Sequence, residues 1–235
     1  MTDRKLDWLT ARPIAHRGYH DGIERIENSR RAFEAAIDRG YAIECDVHPT
    51  RDGRVAVFHD DTLDRLTEAE GPTRERTMTE LERLRLSGTP DTIVSLDDTL
   101  SLVAGRVPIV IELKGFGPRQ EGFVAAVARA LNGYTGDAAI MSFDQHLVRD
   151  FVTNAPNVPH GLTAEGSDEN AFKRHAKVAD MVDFLSYSVS DLPNPFANAF
   201  RTSGRPVITW TVRTPEQVAL TREHADQMTF EGFVP

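Results

Sequence analysis

Short β-rich apolar runs alternate with helical patterns along almost the whole chain, and one link in that alternation is too short to cross a sheet. The runs lie around Ile14, Ala42–Val47, Val55–Phe58, Val107–Leu113, Ala138–Phe143, His160–Ala164, Phe184–Tyr187, Val207–Val212 and Gln227–Phe230. Such alternation predicts a parallel sheet with crossover helices. A parallel crossover needs about a dozen residues, whereas Pro49–Arg54 offers only a tight turn around Asp52-Gly53. Val55–His59 therefore turns back antiparallel. Discounting that arm leaves eight parallel runs of the nine, the number that closes a (β/α)8 TIM barrel. An open doubly wound sheet is the alternative.

The helices are expected over Leu96–Val103, Gly122–Leu131, Gln145–Asn154, Asn170–Ala179 and Pro215–His224, with Asn28-Ser29 capping a further one that carries Ala32, Phe33, Ala36 and Ile37 and ends at Gly40. Between Asp61 and Pro90 strand character is lost. That stretch reads as a small insertion after the second strand, with one amphipathic helix through Met78, Leu81, Leu84 and Leu86, placed to cover the barrel mouth. Asp191–Asn198 reads as a loop. Residues 1–235 are expected to form a single domain.

A net charge of -9 speaks against a broad grip on nucleic acid, which is driven by lysine and arginine neutralising phosphates. The lone cysteine, Cys45, cannot form an internal disulfide. Met1–Asp7 is charged in both signs and lacks the apolar stretch of a secretory signal, and no run approaches the ~20 apolar residues of a membrane span, so a soluble cytoplasmic protein without membrane insertion is expected.

The chemistry-bearing residues collect at strand ends. Strand side chains alternate faces, so Glu44 and Asp46 project together into the barrel while Ile43, Cys45 and Val47 project toward the helices. Two carboxylates on one face need a cation or a proton. Glu112, ending an apolar strand, is a third oxygen donor, and an oxygen-only set suits Mg²⁺ or Ca²⁺ better than zinc. A structural network with Arg17 and Lys114 is the plainer account of any one acid taken alone; their joint placement favours the metal. His16 and His59 each close an apolar run and can serve as an acid-base pair. His20, His146, His160, His175 and His224 read as hydrogen-bonded structural residues, while His48 shares the parity of Glu44 and Asp46. Arg17 and Lys114 offer charge for a phosphoryl group, and Phe143 and Trp210 an aromatic wall for substrate.

Taken in order, His16-Arg17-Gly18, Glu27-Asn28, Glu44-Cys45-Asp46, Asp52-Gly53, His59-Asp60 and Glu112-Leu113-Lys114 resemble the pattern of the glycerophosphodiester phosphodiesterases. The likeness continues through Val94–Leu100, Ser142-Phe143 and Trp210-Thr211-Val212. It implies a (β/α)8 barrel, catalytic His16 and His59, and a divalent metal at Glu44, Asp46 and Glu112. It also implies metal-dependent hydrolysis of a small glycerophosphodiester to glycerol 3-phosphate and an alcohol, one histidine removing a proton and the other protonating the departing alcohol. Two departures are local: Arg213 stands where the family commonly has Asn, and Thr229-Phe230-Glu231 replaces the usual Thr-Asp. The small insertion favours water-soluble diesters such as glycerophosphocholine. A barrel phospholipase acting on membrane phospholipid would want basic or apolar surface, against the acidic balance. A non-catalytic phosphodiester-binding module would be expected to have lost a histidine or a carboxylate, and none is missing.

Overall fold

The computed structural model describes residues 6–117 and 122–235. The charged run Met1–Lys5, part of the signal-sequence argument, lies outside them. In chain order the elements are α1 (Asp7–Thr10), β1 (Ile14–Ala15), α2 (Arg30–Asp38), β2 (Ala42–Pro49), β3 (Val55–Val57), α3 (Met78–Leu81), β4 (Val94–Ser95), α4 (Leu96–Val103), β5 (Ile109–Leu113), α5 (Phe123–Ala130), β6 (Ala138–Ser142), α6 (Gln145–Asn154), β7 (His160–Ala164), α7 (Glu169–Ala176), β8 (Phe184–Ser188), α8 (Pro195–Thr202), β9 (Val207–Val212), α9 (Pro215–His224) and β10 (Gln227–Phe230).

Strands β1, β2, β5, β6, β7, β8, β9 and β10 pair in parallel in that order, and β1 pairs with both β2 and β10, so the eight strands close into a barrel. The short arm is antiparallel as expected: Val57 sits opposite Val47, and the pairing runs on through His48 and Pro49, past the last β2 residue paired with β5. β4 adds a second antiparallel strand to the arm. The strand phase sorts the side chains. Ile43, Cys45 and Val47 pack outward with Phe33 and Ala36 of α2, and Ala42, Val110, Met141, Phe184 and Ile208 fill the interior floor, closed from below by Leu6 and Leu9. Gly161 on β7 makes room for that floor, since a Cβ there would lie 2.5 Å from the Phe184 ring.

Three local expectations are corrected. The stretch expected as the loop Asp191–Asn198 contains the start of α8, because Asn194 caps it through the Ala197 amide and Pro195 occupies the first turn, where its missing N–H costs nothing. The amphipathic helix through Met78 to Leu86 is the single turn α3, opened by a Thr77–Glu80 capping box. Leu86 instead enters a turn bonded to Asp91, beside the Arg85–Thr92 bridge. The helix expected over Asn170–Ala179 is α7, ending at Ala176. The insertion packs its own small core, with Leu63, Met78 and Leu81 fully buried beside Phe58.

Candidate active site

β2 sets the floor of the site. Glu44 and Asp46 point inward and are 2% and 1% exposed, and Asp46 lies directly across from Glu112 in the β2–β5 register. One carboxylate oxygen from each of the three falls within 4.8 Å of the others. Like charges so placed repel. Burial, reinforced by the Asp46 and Glu112 charges, pushes the Glu44 carboxyl well above its usual range. Burial likewise raises Glu112, outweighing its bond to Lys114. Asp46 goes the other way: against the pull of burial, Lys114 and Arg17 hold it far below the ordinary value. Lys114 Nζ lies 2.8 Å from Asp46 Oδ1 and also bonds Glu112, while Arg17 Nε lies 3.2 Å from Asp46 Oδ2. An oxygen-only trio in which burial raises Glu44 and Glu112 while Asp46 stays ionised fits a hard divalent cation, which would take the place of the protons that burial favours on the two glutamates.

Backbone strain shapes the same floor. Arg17 and Asn28 both adopt left-handed conformations, with φ of 54° and 57°, a costly region for residues with a Cβ. The return is specific: the Arg17 amide donates to Glu44 Oε2 at 3.0 Å, and Asn28 donates to Asp46 Oδ2 at 2.9 Å while accepting the Asp46 amide at 3.2 Å. Gly18 permits the turn because a Cβ would lie 2.9 Å from the Ala32 backbone carbon.

Each predicted histidine has one ring nitrogen tied to a carboxylate. His16, 9% exposed, bonds Glu231 Oε2 through Nδ1 at 2.8 Å. His59 bonds Asp60 Oδ1 through Nδ1 at 2.7 Å. Both carboxylates are held by an arginine: Arg213 on Glu231 at 3.0 Å, and Arg65 on Asp60 at 2.6 Å. The hydrogen bond from His16 is the main reason that Glu231 is lowered to about 2, while Arg65 and His59 overcome burial to bring Asp60 to about 2. Burial lowers both imidazoles below 6.5, against the opposing pull of Glu231 on His16 and of Asp46 on His59. With Nδ1 donating, Nε2 of each ring is left for the cavity.

That cavity, about 310 Å³, joins His16, Arg17, His59 and Lys114 to Asp46 and Glu112. Phe143 and Trp210 form its aromatic side, edge to face at 5.1 Å. All nine predicted site residues thus gather at one end of the barrel, with Glu44 just below, 4.0 Å from His16 Nε2.

Other residues escaped the sequence reading. Glu231 and Arg213, noted only as departures, form an ion pair with each other and orient His16. Glu165 and Ser188 line the far rim; they continue the inward phase of Thr163 and Ser186, which strand alternation could have revealed. His48 supports the arm by bonding the His59 carbonyl at 3.1 Å. The insertion does not line the cavity, contrary to its expected cover, and reaches the site through Arg65, which clasps Asp60 and Glu27. Among the other histidines, His160 is the bonded structural residue expected. His20 is not: neither ring nitrogen has a protein partner.

The profile of the Glycerophosphoryl diester phosphodiesterase family matches residues 16–228. The chain belongs to that family. Among curated relatives, the glycerophosphodiester phosphodiesterase of Caldanaerobacter subterraneus is 31% identical over 63% of this chain and 65% of its own length, so the match spans just under two thirds of that relative. That of Bacillus altitudinis is 37% identical over 43% of each chain. Among solved structures, the Thermotoga maritima glycerophosphodiester phosphodiesterase superposes with a TM-score of 0.74 at 26% identity, covering 92% of both chains. An Oleispira antarctica phosphodiesterase, solved with its product sn-glycerol-3-phosphate, superposes at 0.82 with 21% identity, covering 93% of this chain and 92% of that one. The barrel and the family expected from the ordered motifs are therefore both borne out. No helix among the described residues is long and apolar enough to cross a membrane.

Proposed function

We propose that this chain is a phosphoric diester hydrolase that cleaves a small glycerophosphodiester to glycerol 3-phosphate and an alcohol, with His16 and His59 as its acid-base pair. The observation that carries the reading is the pair of carboxylate-tied imidazoles lining one cavity with Asp46, Glu112, Arg17 and Lys114. Family membership and the names of the relatives supply the substrate class.

Phosphorus is attacked by water, or first by a glycerol hydroxyl of the substrate, in which case the alcohol leaves a cyclic phosphate that water then opens to glycerol 3-phosphate. One imidazole, in the neutral form that burial favours, takes the proton of the attacking hydroxyl. The other, protonated, gives its proton to the alcohol oxygen as the P–O bond breaks. Tying Nδ1 to a carboxylate fixes ring orientation and tautomer and stabilises the imidazolium when it forms. Lys114 and Arg17 set two positive charges beside the position of the phosphoryl oxygens. Glu44, Asp46 and Glu112 would hold Mg²⁺ or Ca²⁺, which when bound neutralises phosphate charge and orients the group.

The deciding experiment is a panel of diesters, including glycerophosphocholine, a lysophospholipid and vesicles of diacyl phospholipid, assayed with and without Mg²⁺ or Ca²⁺. Glycerol 3-phosphate released only from the water-soluble diesters supports the proposal. Turnover confined to the vesicles would replace it with a phospholipase, and no turnover of any diester with a folded, metal-supplied protein would leave a binding module.

A further inference from the structure

His20 presents a physical anomaly. Its two ring nitrogens are shielded from solvent, yet neither meets a hydrogen-bond partner in the protein. Buried polar groups are nearly always paired, so an unpaired one implies a missing ligand, water or ion. The backbone explains the placement, since the turn after His16-Arg17-Gly18 is pinned by the His20 amide donating to the Gly18 carbonyl at 3.0 Å. That turn brings His20 back toward the end of β10.

What faces it is a matching donor set. A ring nitrogen of His16, a ring nitrogen of His20 and a carboxylate oxygen of Glu231 all lie within 4.8 Å of one another. Two imidazoles and a carboxylate are a donor set suited to zinc and other borderline transition metals, unlike the oxygen-only trio on β2 and β5. Glu231 engages His16 and Arg213 through Oε2 alone, so Oε1 takes no hydrogen bond from a described residue. Arg213 is half exposed and can swing into solvent. Burial lowers both imidazoles and the His16 hydrogen bond lowers Glu231, the directions that favour ligation.

We infer that His16, His20 and Glu231 form a zinc-class metal site, separate from the acidic trio, and that Zn²⁺ bound there inhibits the enzyme by immobilising the His16 imidazole. Zn²⁺ takes the place of the His16–Glu231 hydrogen bond while the single proton of the neutral His16 ring stays on the nitrogen that does not ligate, so no oxidant or further reactant is needed. The inhibitory part rests on the role given to His16 above; the site itself does not.

The test titrates Zn²⁺ alone into the Mg²⁺-saturated protein, following bound zinc by equilibrium dialysis and, in parallel, turnover of glycerophosphocholine. The expected results are one zinc ion that a large excess of Mg²⁺ does not displace, turnover reduced at least tenfold, and recovery when zinc is chelated and Mg²⁺ is resupplied. His20→Ala should keep normal turnover without zinc, bind zinc at least tenfold more weakly and resist inhibition; a melting curve checks its fold. Unchanged zinc affinity in His20→Ala, or zinc displaced in proportion to Mg²⁺, would overturn the site. Zinc bound through His20 while turnover continues would uphold the site and remove His16 from the chemistry.

Discussion

His16 Nδ1 lies 2.8 Å from Glu231 Oε2, a bond that joins the end of the first barrel strand to the residue following the last, 215 positions away. Closure of the barrel is what makes them neighbours: β1 and β10 pair in parallel, with Ala15 beside Phe230. The same carboxylate holds Arg213, so the two departures from the family pattern are one feature in space.

Glu231 acts on the reaction through His16. Replacing Glu231 by Gln keeps the size, removes the charge and lets an amide N–H face Nδ1, which favours the wrong tautomer. We expect kcat to fall by roughly 10²–10⁴-fold with KM little changed. Glu231 raises the pKa of His16, so its loss lowers that value further and moves the limb of the pH–rate profile that His16 governs, the acidic limb if His16 is the base and the basic limb if it is the acid, to lower pH. Glu231→Asp retains a carboxylate and should recover part of the rate. A pH–rate profile with both limbs unmoved in Glu231→Gln would count against the link.

His16→Ala and His59→Ala should each lower turnover by roughly 10²–10⁴-fold while substrate affinity changes little, as for positioned acid-base groups. Single-turnover rates with a separate binding measurement check this. A variant whose loss is repaired by excess Mg²⁺ would instead mark that histidine as a metal ligand.

Metal stabilisation should grow with pH. Glu44 and Glu112 have raised folded-state values, so their contribution to stability is complete below the ordinary carboxylate value of 4.5 and is lost as pH rises through the raised values. A divalent cation removes that loss. Melting temperatures with and without Ca²⁺ should therefore diverge from pH 5 to pH 8, and Glu44→Gln should narrow the gap. A gap that is flat with pH would dissociate the trio from the metal.

Gly161→Ala should destabilise the fold by about 1–3 kcal/mol through overpacking against Phe184. For a chain of this size that lowers the melting temperature by roughly 2–4 °C per kcal/mol. An unchanged melting temperature would show that the ring moves aside without cost.

Much of this molecule was legible in one dimension because its signals are local. A period of two placed Glu44 and Asp46 on the inner face and Cys45 on the outer one, Glu112 stood out as the acid ending an apolar strand, and the short Pro49–Arg54 link forced the antiparallel arm. Caps are equally local where the pattern is read correctly: Ser29 and Thr214 open their helices as side-chain chemistry demands, and Asn194 does the same inside the Asp191–Asn198 stretch that read as a loop. What one dimension could not carry is pairing across the barrel. The Glu231 carboxylate on His16, the grip of Arg65 on Asp60 and Glu27, and the unpartnered His20 beside Glu231 depend on which strand ends meet when the sheet closes and on how the Asp61–Pro90 stretch folds back. Alternation along a strand says which way a side chain points. Only the closed sheet decides what it meets there, because hydrogen bonds and ion pairs depend on distance in space and not on separation along the chain.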